Sequence, residues 1–171
     1  MEEKKLWRTW AEVDLDALAH NYHTLRAMTP SGCRFLGLVK ANAYGHGAVP
    51  VARKLQELGA DMLAVACVSE AEELRQSGVK LPILCLGETP EELIPLLLEL
   101  DVTQMVADLE TGRRLSAAAQ RAGRTLRVHV KLDTGMSRLG FLWRAGEDNT
   151  ALLEDIQALC ALPGLEAEGM F

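Results

Sequence analysis

A chain of 171 residues, 49% of them hydrophobic, is long enough to bury a core and too apolar to be disordered by composition. Its net charge of -6 is scattered, which argues against a nucleic-acid partner with its usual basic patch. The opening Met1-Glu2-Glu3-Lys4-Lys5 lacks the apolar core of a signal peptide, and no apolar run approaches a membrane span, so a cytoplasmic protein is expected.

Residues 10–13 read as strand-like, and 14–26 as a helix capped by Asp14. Residues 35–39 form a strand, followed by a helix over 49–58 closed by Gly59 and a strand over 62–67. A helix over 69–76 takes Ser69 as N-cap, Glu72 as its capping-box partner and Gly78 as its stop. After a short strand over 83–86, Thr89 caps a helix with Pro90 at its first position, running to Leu100 and kinked or shortened by Pro95. Then come a strand over 102–106, a helix over 109–122, a strand over 126–132 with a turn around Gly135, a helix over 147–162 and a last strand over 165–171.

Strands alternating with helices indicate an α/β fold with a parallel sheet of about six strands. Periodicity leaves two architectures open: an open doubly wound sheet, or a (β/α)8 TIM-type barrel cut short. Such barrels usually take about 250 residues. Phe171 falls within a strand-like run, so the chain is expected to be incomplete, one barrel domain over 1–171.

The run from Phe35 to Val39 ends on Lys40 and opens into Ala41-Asn42-Ala43-Tyr44-Gly45-His46-Gly47. A lysine at the carboxyl end of such a strand, partly desolvated, is suited to imine formation with an aldehyde. Nearby hydrogen-bonding groups and glycine turns would suit pyridoxal phosphate, although nothing in this loop offers a partner for the pyridine nitrogen. The alternative is an ordinary lysine reaching into solvent.

A second cluster, His129 to Gly140, alternates His129, Lys131 and Asp133 on one face of a strand. A buried Lys131 there needs a partner or a chemical modification, unless it sits at a solvent-facing edge. Arg138 follows the glycine turn. His46 and His129 read as structural hydrogen-bonders, and His20 and His23 as surface residues. Cys33, Cys67, Cys85 and Cys160 lack metal or disulfide spacing; Cys67 and Cys85, within strand-like runs, are expected to be buried free thiols. Neither GxGxxG nor GxxxxGK[ST] occurs in a nucleotide-binding context.

At these two clusters the chain resembles the alanine racemases. Val39-Lys40-Ala41-Asn42-Ala43-Tyr44-Gly45-His46-Gly47 is similar to the family's pyridoxal-lysine motif, and Lys131-Leu132-Asp133-Thr134-Gly135-Met136-Ser137-Arg138-Leu139-Gly140 to its second signature. Trp10-Ala11-Glu12-Val13-Asp14-Leu15 resembles its N-terminal opening. The resemblance implies a pyridoxal-5'-phosphate enzyme interconverting L- and D-alanine, supplying D-alanine for peptidoglycan. Lys40 would carry the cofactor and act as one acid–base group, Tyr44 would bind its phosphate, and Leu86 would pack beside it. Arg138 would lie near the cofactor and the substrate carboxylate, which the Met136 backbone amide would also bind. Lys131 would be open to carbamylation, giving an anion that orients Arg138.

In this family the second base is a tyrosine from the C-terminal β-domain of the other subunit of a homodimer. Neither Tyr22 nor Tyr44 matches it, so the 171 residues are expected to lack that domain and not to racemise unaided. A racemase for serine or another small amino acid, a non-catalytic pyridoxal-phosphate barrel protein and an inactive truncated product are the alternatives.

Overall fold

The structure, a computed structural model, describes residues 9–171; the charged opening Met1 to Lys5 lies outside the described residues. Helix α1 (Leu15–Met28) starts at Asp14, whose carboxylate accepts from the N–H groups of Asp16 and Ala17. That contact satisfies two donors which the first turn cannot pair internally. Strand β1 (Leu36–Leu38) follows, and then a single turn, α2 (Lys40–Tyr44).

The alternation continues through α3 (Ala48–Glu57), β2 (Met62–Val65), α4 (Val68–Gln76), β3 (Ile83–Cys85), α5 (Ile94–Glu99), β4 (Val102–Val106), α6 (Leu109–Arg121) and β5 (Leu126–Val130). A short pair, β6 (Leu132–Asp133) and β7 (Phe141–Leu142), precedes α7 (Thr150–Cys160) and β8 (Leu165–Met170).

Among the described residues six strands form one sheet in the order β1-β2-β3-β4-β5-β8, every neighbouring pair parallel. The order never reverses along the chain. A doubly wound sheet needs such a reversal, whereas a barrel wall is laid down strand after strand. The six-stranded barrel wall is therefore the architecture.

The core lies between the sheet and its helices. Leu55 of α3, Leu74 of α4, Leu97 of α5 and Leu115 of α6 are buried against Leu63, Ile83, Val102 and Val128. Every residue of β3 and β4 is buried, as expected of parallel strands covered on both faces. A β-carbon added at Gly37 would meet Leu55 of α3, so Gly37 faces the helices. Alternation then turns Leu36 and Leu38 to the opposite, inner face.

Several boundaries differ from the expectation. Residues 10–13 are exposed and not in a strand. Pro95 sits in the first turn of α5, so the helix starts at Ile94 behind a separate 3-10 turn over Glu91–Leu93. The Thr89 hydroxyl caps nothing; it donates to Gln104 Oε1 at 2.6 Å. Helix α7 starts only at Thr150, because the Asn149 side chain is tied back to the backbone of Arg144. Cys67 is exposed, with Cys33 and Cys160, and Cys85 alone of the four is buried.

Candidate functional site at the carboxyl ends of the strands

Lys40 follows β1, Leu86 follows β3 and Lys131 follows β5, so all three sit at the same end of the sheet. Together with Asp133, Thr134, Met136, Arg138, Leu139 and Phe171 they line one cavity of about 250 Å³. Three cations and an apolar wall of Leu86, Leu139 and Phe171 meet there. An electropositive recess at the carboxyl ends of parallel strands suits an anionic ligand with a flat hydrophobic body.

The turn after Lys40 has an unusual backbone. Ala41, Asn42, Ala43 and Tyr44 have φ of 51, 55, 50 and 53°, all in the left-handed region. Each such L-residue costs about 1–2 kcal/mol, with Asn the least penalised. Three sets of hydrogen bonds hold the turn. The Ala41 N–H donates to Glu70 Oε1 at 2.8 Å, and Asn42 Oδ1 accepts from Ala48 N–H at 2.7 Å. The Asn42 carbonyl accepts from Gly45 and Gly47, both at 3.0 Å. Gly45 and Gly47 have φ of 89 and 90°, a conformation glycine adopts without strain.

The strand expected to run to Leu132 stops at Val130. The Lys131 N–H still donates to Val106 O, but the Lys131 carbonyl turns away and accepts from Phe141 N–H at 2.8 Å. Leu132 and Asp133 pair with Phe141 and Leu142 instead. Asp133 therefore leaves the alternation of His129 and Lys131 and anchors the loop. Its Oδ1 accepts from Ser137 N–H at 2.9 Å and Gly135 N–H at 3.0 Å. These two bonds, Ser137's first, hold its carboxyl below the usual carboxylate range. A β-carbon at Gly140 would lie 2.8 Å from Lys131 O and Asp133 N, so the loop closes there only with glycine.

Lys131 Nζ lies 4.6 Å from the centre of the Phe171 ring, and among the described residues it makes no ion pair. Arg138 Nη2 donates to Met136 Sδ at 2.9 Å, and both side chains are exposed at the cavity mouth. Tyr44 stands apart from the cavity lining. It is exposed, with its ring centre 6.0 Å from Lys40 Nζ.

His129 lies one level deeper on the inner face, where Nε2 is 3.4 Å from Glu168 Oε1. The His46 ring pairs with Ala43 O at 3.0 Å, outside the cavity. His20 and His23 are exposed on α1. Sequence reasoning missed Phe171, Leu139, Thr134 and Glu70. Phe171 carried a usable signal, since it directly follows a strand.

The chain matches the family described as alanine racemase, N-terminal domain, over residues 13–171. It is 46% identical over 162 residues to the alanine racemase of Desulforamulus reducens, covering 95% of this chain and 42% of the relative. The alanine racemase of Clostridium novyi is 42% identical over 168 residues, covering 98% of this chain and 42% of the relative. Among solved structures, the alanine racemase of Clostridium difficile 630 in complex with cycloserine gives a TM-score of 0.91 at 40% identity, over 98% of this chain and 45% of that one. The Bacillus anthracis alanine racemase with bound L-Ala-P gives 0.81 at 37% identity, over 95% of this chain and 40% of that one. The chain thus spans less than half the length of these relatives.

Proposed function

The chain belongs to the alanine racemase N-terminal domain family, and from that premise we propose that residues 1–171 form the pyridoxal-phosphate-binding barrel portion of a cytoplasmic amino-acid racemase acting on L- and D-alanine. The observation that carries this reading is the meeting of Lys40, Lys131 and Arg138 in one cavity at the strand ends. The residues present fit the cofactor. A lysine amine faces a recess with apolar walls, and further cations are available to its phosphate and phenolic oxygen.

When bound, pyridoxal phosphate supplies an electron sink that makes the α-proton of an amino acid removable near neutral pH. Lys40 would hold the cofactor through its Nζ and would move the α-proton on one face. Tyr44, on the turn after Lys40 and outside the cavity lining, would offer its hydroxyl to the phosphate. Arg138 orients the substrate carboxylate, with the Met136 backbone N–H as a second donor. Leu86, on the apolar wall of the cavity, would pack against the cofactor and help to exclude water. Carbamylation of Lys131, addition of carbon dioxide to its neutral amine with loss of a proton, would turn a cation of the cavity into an anion available to the Arg138 guanidinium.

Racemisation needs a base on each face of the substrate. Tyr22 is buried against Phe35, with ring centres 4.8 Å apart, and Tyr44 lies on the Lys40 turn. Neither sits as the tyrosine that the family resemblance implies for the second face, so on this reading that base would come from the partner subunit of a homodimer. The test is to load the chain with pyridoxal phosphate, reduce it with borohydride and map the labelled peptide. Cofactor fixed on Lys40 is the expected result. A Lys40→Ala chain that fixes it equally well overturns the assignment.

A further inference from the structure

We propose that Glu70 is a positioning residue for Lys40, acting through the backbone of the left-handed turn that follows it; this rests on the reading of Lys40 as the cofactor lysine. Glu70 is the third residue of α4, and its carboxylate leaves its own helix on both sides. Oε2 accepts from the Ala66 N–H at 2.7 Å, at the end of β2. Oε1 accepts from the Ala41 N–H at 2.8 Å, 29 residues earlier. One half-buried side chain thus ties together the start of α4, the end of β2 and the first left-handed residue after Lys40.

Ala41 and Ala43 have no intrinsic preference for positive φ, so their conformation must be imposed by contacts. Asn42 locks the far side of the turn onto α3 through Ala48, and Glu70 locks the near side next to Lys40. An ionised carboxylate is the fitting group, because it carries two acceptor oxygens and no donor. Glutamine has the same shape but one acceptor, so it leaves one of the two N–H groups facing an amide N–H. With the near side released, the turn relaxes toward right-handed backbone, and the direction in which Lys40 leaves β1 changes.

Three forms of the 171-residue chain test this: the parent, Glu70→Gln, and Glu70→Gln with Ala41→Gly. Glycine adopts positive φ freely, so it removes the need for the hold. In Glu70→Gln, amide hydrogen exchange at Ala41 should quicken about tenfold while Leu63 and Val65 in β2 stay protected. Borohydride trapping of pyridoxal phosphate at Lys40 should fall several-fold, and the double variant should regain it to within about twofold of the parent. Unchanged exchange at Ala41, or loss of trapping without recovery in the double variant, overturns the proposal, since a general structural role for Glu70 predicts no rescue from a glycine at 41. If Glu70→Gln also loses β2 protection, the double variant decides: restored protection supports the proposal and continued loss refutes it. Failure of the parent itself to trap the cofactor at Lys40 overturns the underlying reading, and the exchange comparison then judges the hold of Glu70 on the turn by itself.

Discussion

Replacing Gly169 with alanine tests how the inner face of the sheet is packed beneath the cavity. Gly169 pairs with His129 where β5 and β8 slip register, between Val128 and His129. A β-carbon there would lie 2.6 Å from His129 Cε1, 2.8 Å from Nε2 and 2.9 Å from Nδ1. The whole ring blocks it, and the ring is not free to swing aside. Nε2 is 3.4 Å from Glu168 Oε1, which also accepts from the Thr103 hydroxyl at 3.0 Å, and the Phe171 ring centre is 6.3 Å away.

Overpacking costs about 1–3 kcal/mol, and loosening a hydrogen bond adds about 1 kcal/mol. We expect a loss of about 2–3 kcal/mol, seen as a fall in Tm of roughly 5–10 °C for a chain of this size. In a His129→Ala background the obstacle is gone. Alanine in place of a strand glycine should then stabilise by about 0.5–1 kcal/mol, so the sign reverses. Urea unfolding of all four chains closes the double-mutant cycle. A change under about 0.5 kcal/mol in the parent background, or the same cost with and without the His129 ring, refutes the argument.

Arg75 donates to the carbonyls of Leu100, Val79, Leu81 and Asp101, joining α4 to the loops before β3 and β4. Arg75→Met should cost about 3 kcal/mol or more by urea unfolding, and Arg75→Lys should recover less than half, because an ammonium cannot fork to several carbonyls; a cost below about 1 kcal/mol would show that the carbonyls find other donors. The Asp133 carboxyl sits below its ordinary value, so its contribution is complete above about pH 4 and is lost as pH falls through the lower folded value. The near-UV signal of Trp143, whose backbone N–H donates to the Asp133 carbonyl at 2.9 Å, should therefore change on acidification below about pH 4 in the parent and not in Asp133→Asn; matching acid profiles would count against the loop anchor. Burial pushes the Cys85 thiol up, so a thiol reagent at mildly alkaline pH should titrate Cys33, Cys67 and Cys160 promptly and Cys85 only on unfolding, and four prompt thiols would contradict that packing.

The elements read best from sequence are those whose residues are constrained on every side. Strand β4 was legible to the residue because Val102 to Val106 are all buried and each neighbour reports the same demand. The left-handed turn was not legible, since Ala41, Ala43 and Tyr44 carry no local preference for it and the contacts that impose it come from elsewhere in the chain. Glu70 was hidden by a competing local signal. Ser69 and Glu72 have the spacing of a capping box, yet the helix begins at Val68, and Glu70 serves the N–H groups of Ala66 and Ala41. The strand through Lys131 was overextended because hydropathy continues across Leu132, while the backbone there is claimed by Phe141. Lys40 and Lys131 stood out in the sequence because each ends an apolar run, and the structure brings both, with Arg138, to one recess.

The barrel wall given by the strand order shows also in side chains that cross the inner face. Thr103 lies on β4 and Glu168 on β8, with β5 between them. In a flat sheet two strand spacings separate them by about 10 Å, more than an upright threonine hydroxyl and glutamate carboxylate can close. Their oxygens are nevertheless 3.0 Å apart, so the strands bend toward this face. Arg127 also lies on it, with Nη2 3.0 Å from Asp101 Oδ1 and Nε 3.7 Å from Glu168 Oε2. A helix layer laid across such a face would have to bury those charges against apolar side chains, at a cost that pairing seldom recovers. Concavity therefore follows from the polar residues alternating along β5, and it turns the residues at the ends of β1, β3 and β5 toward one another, placing Lys40 and Lys131 across a single recess.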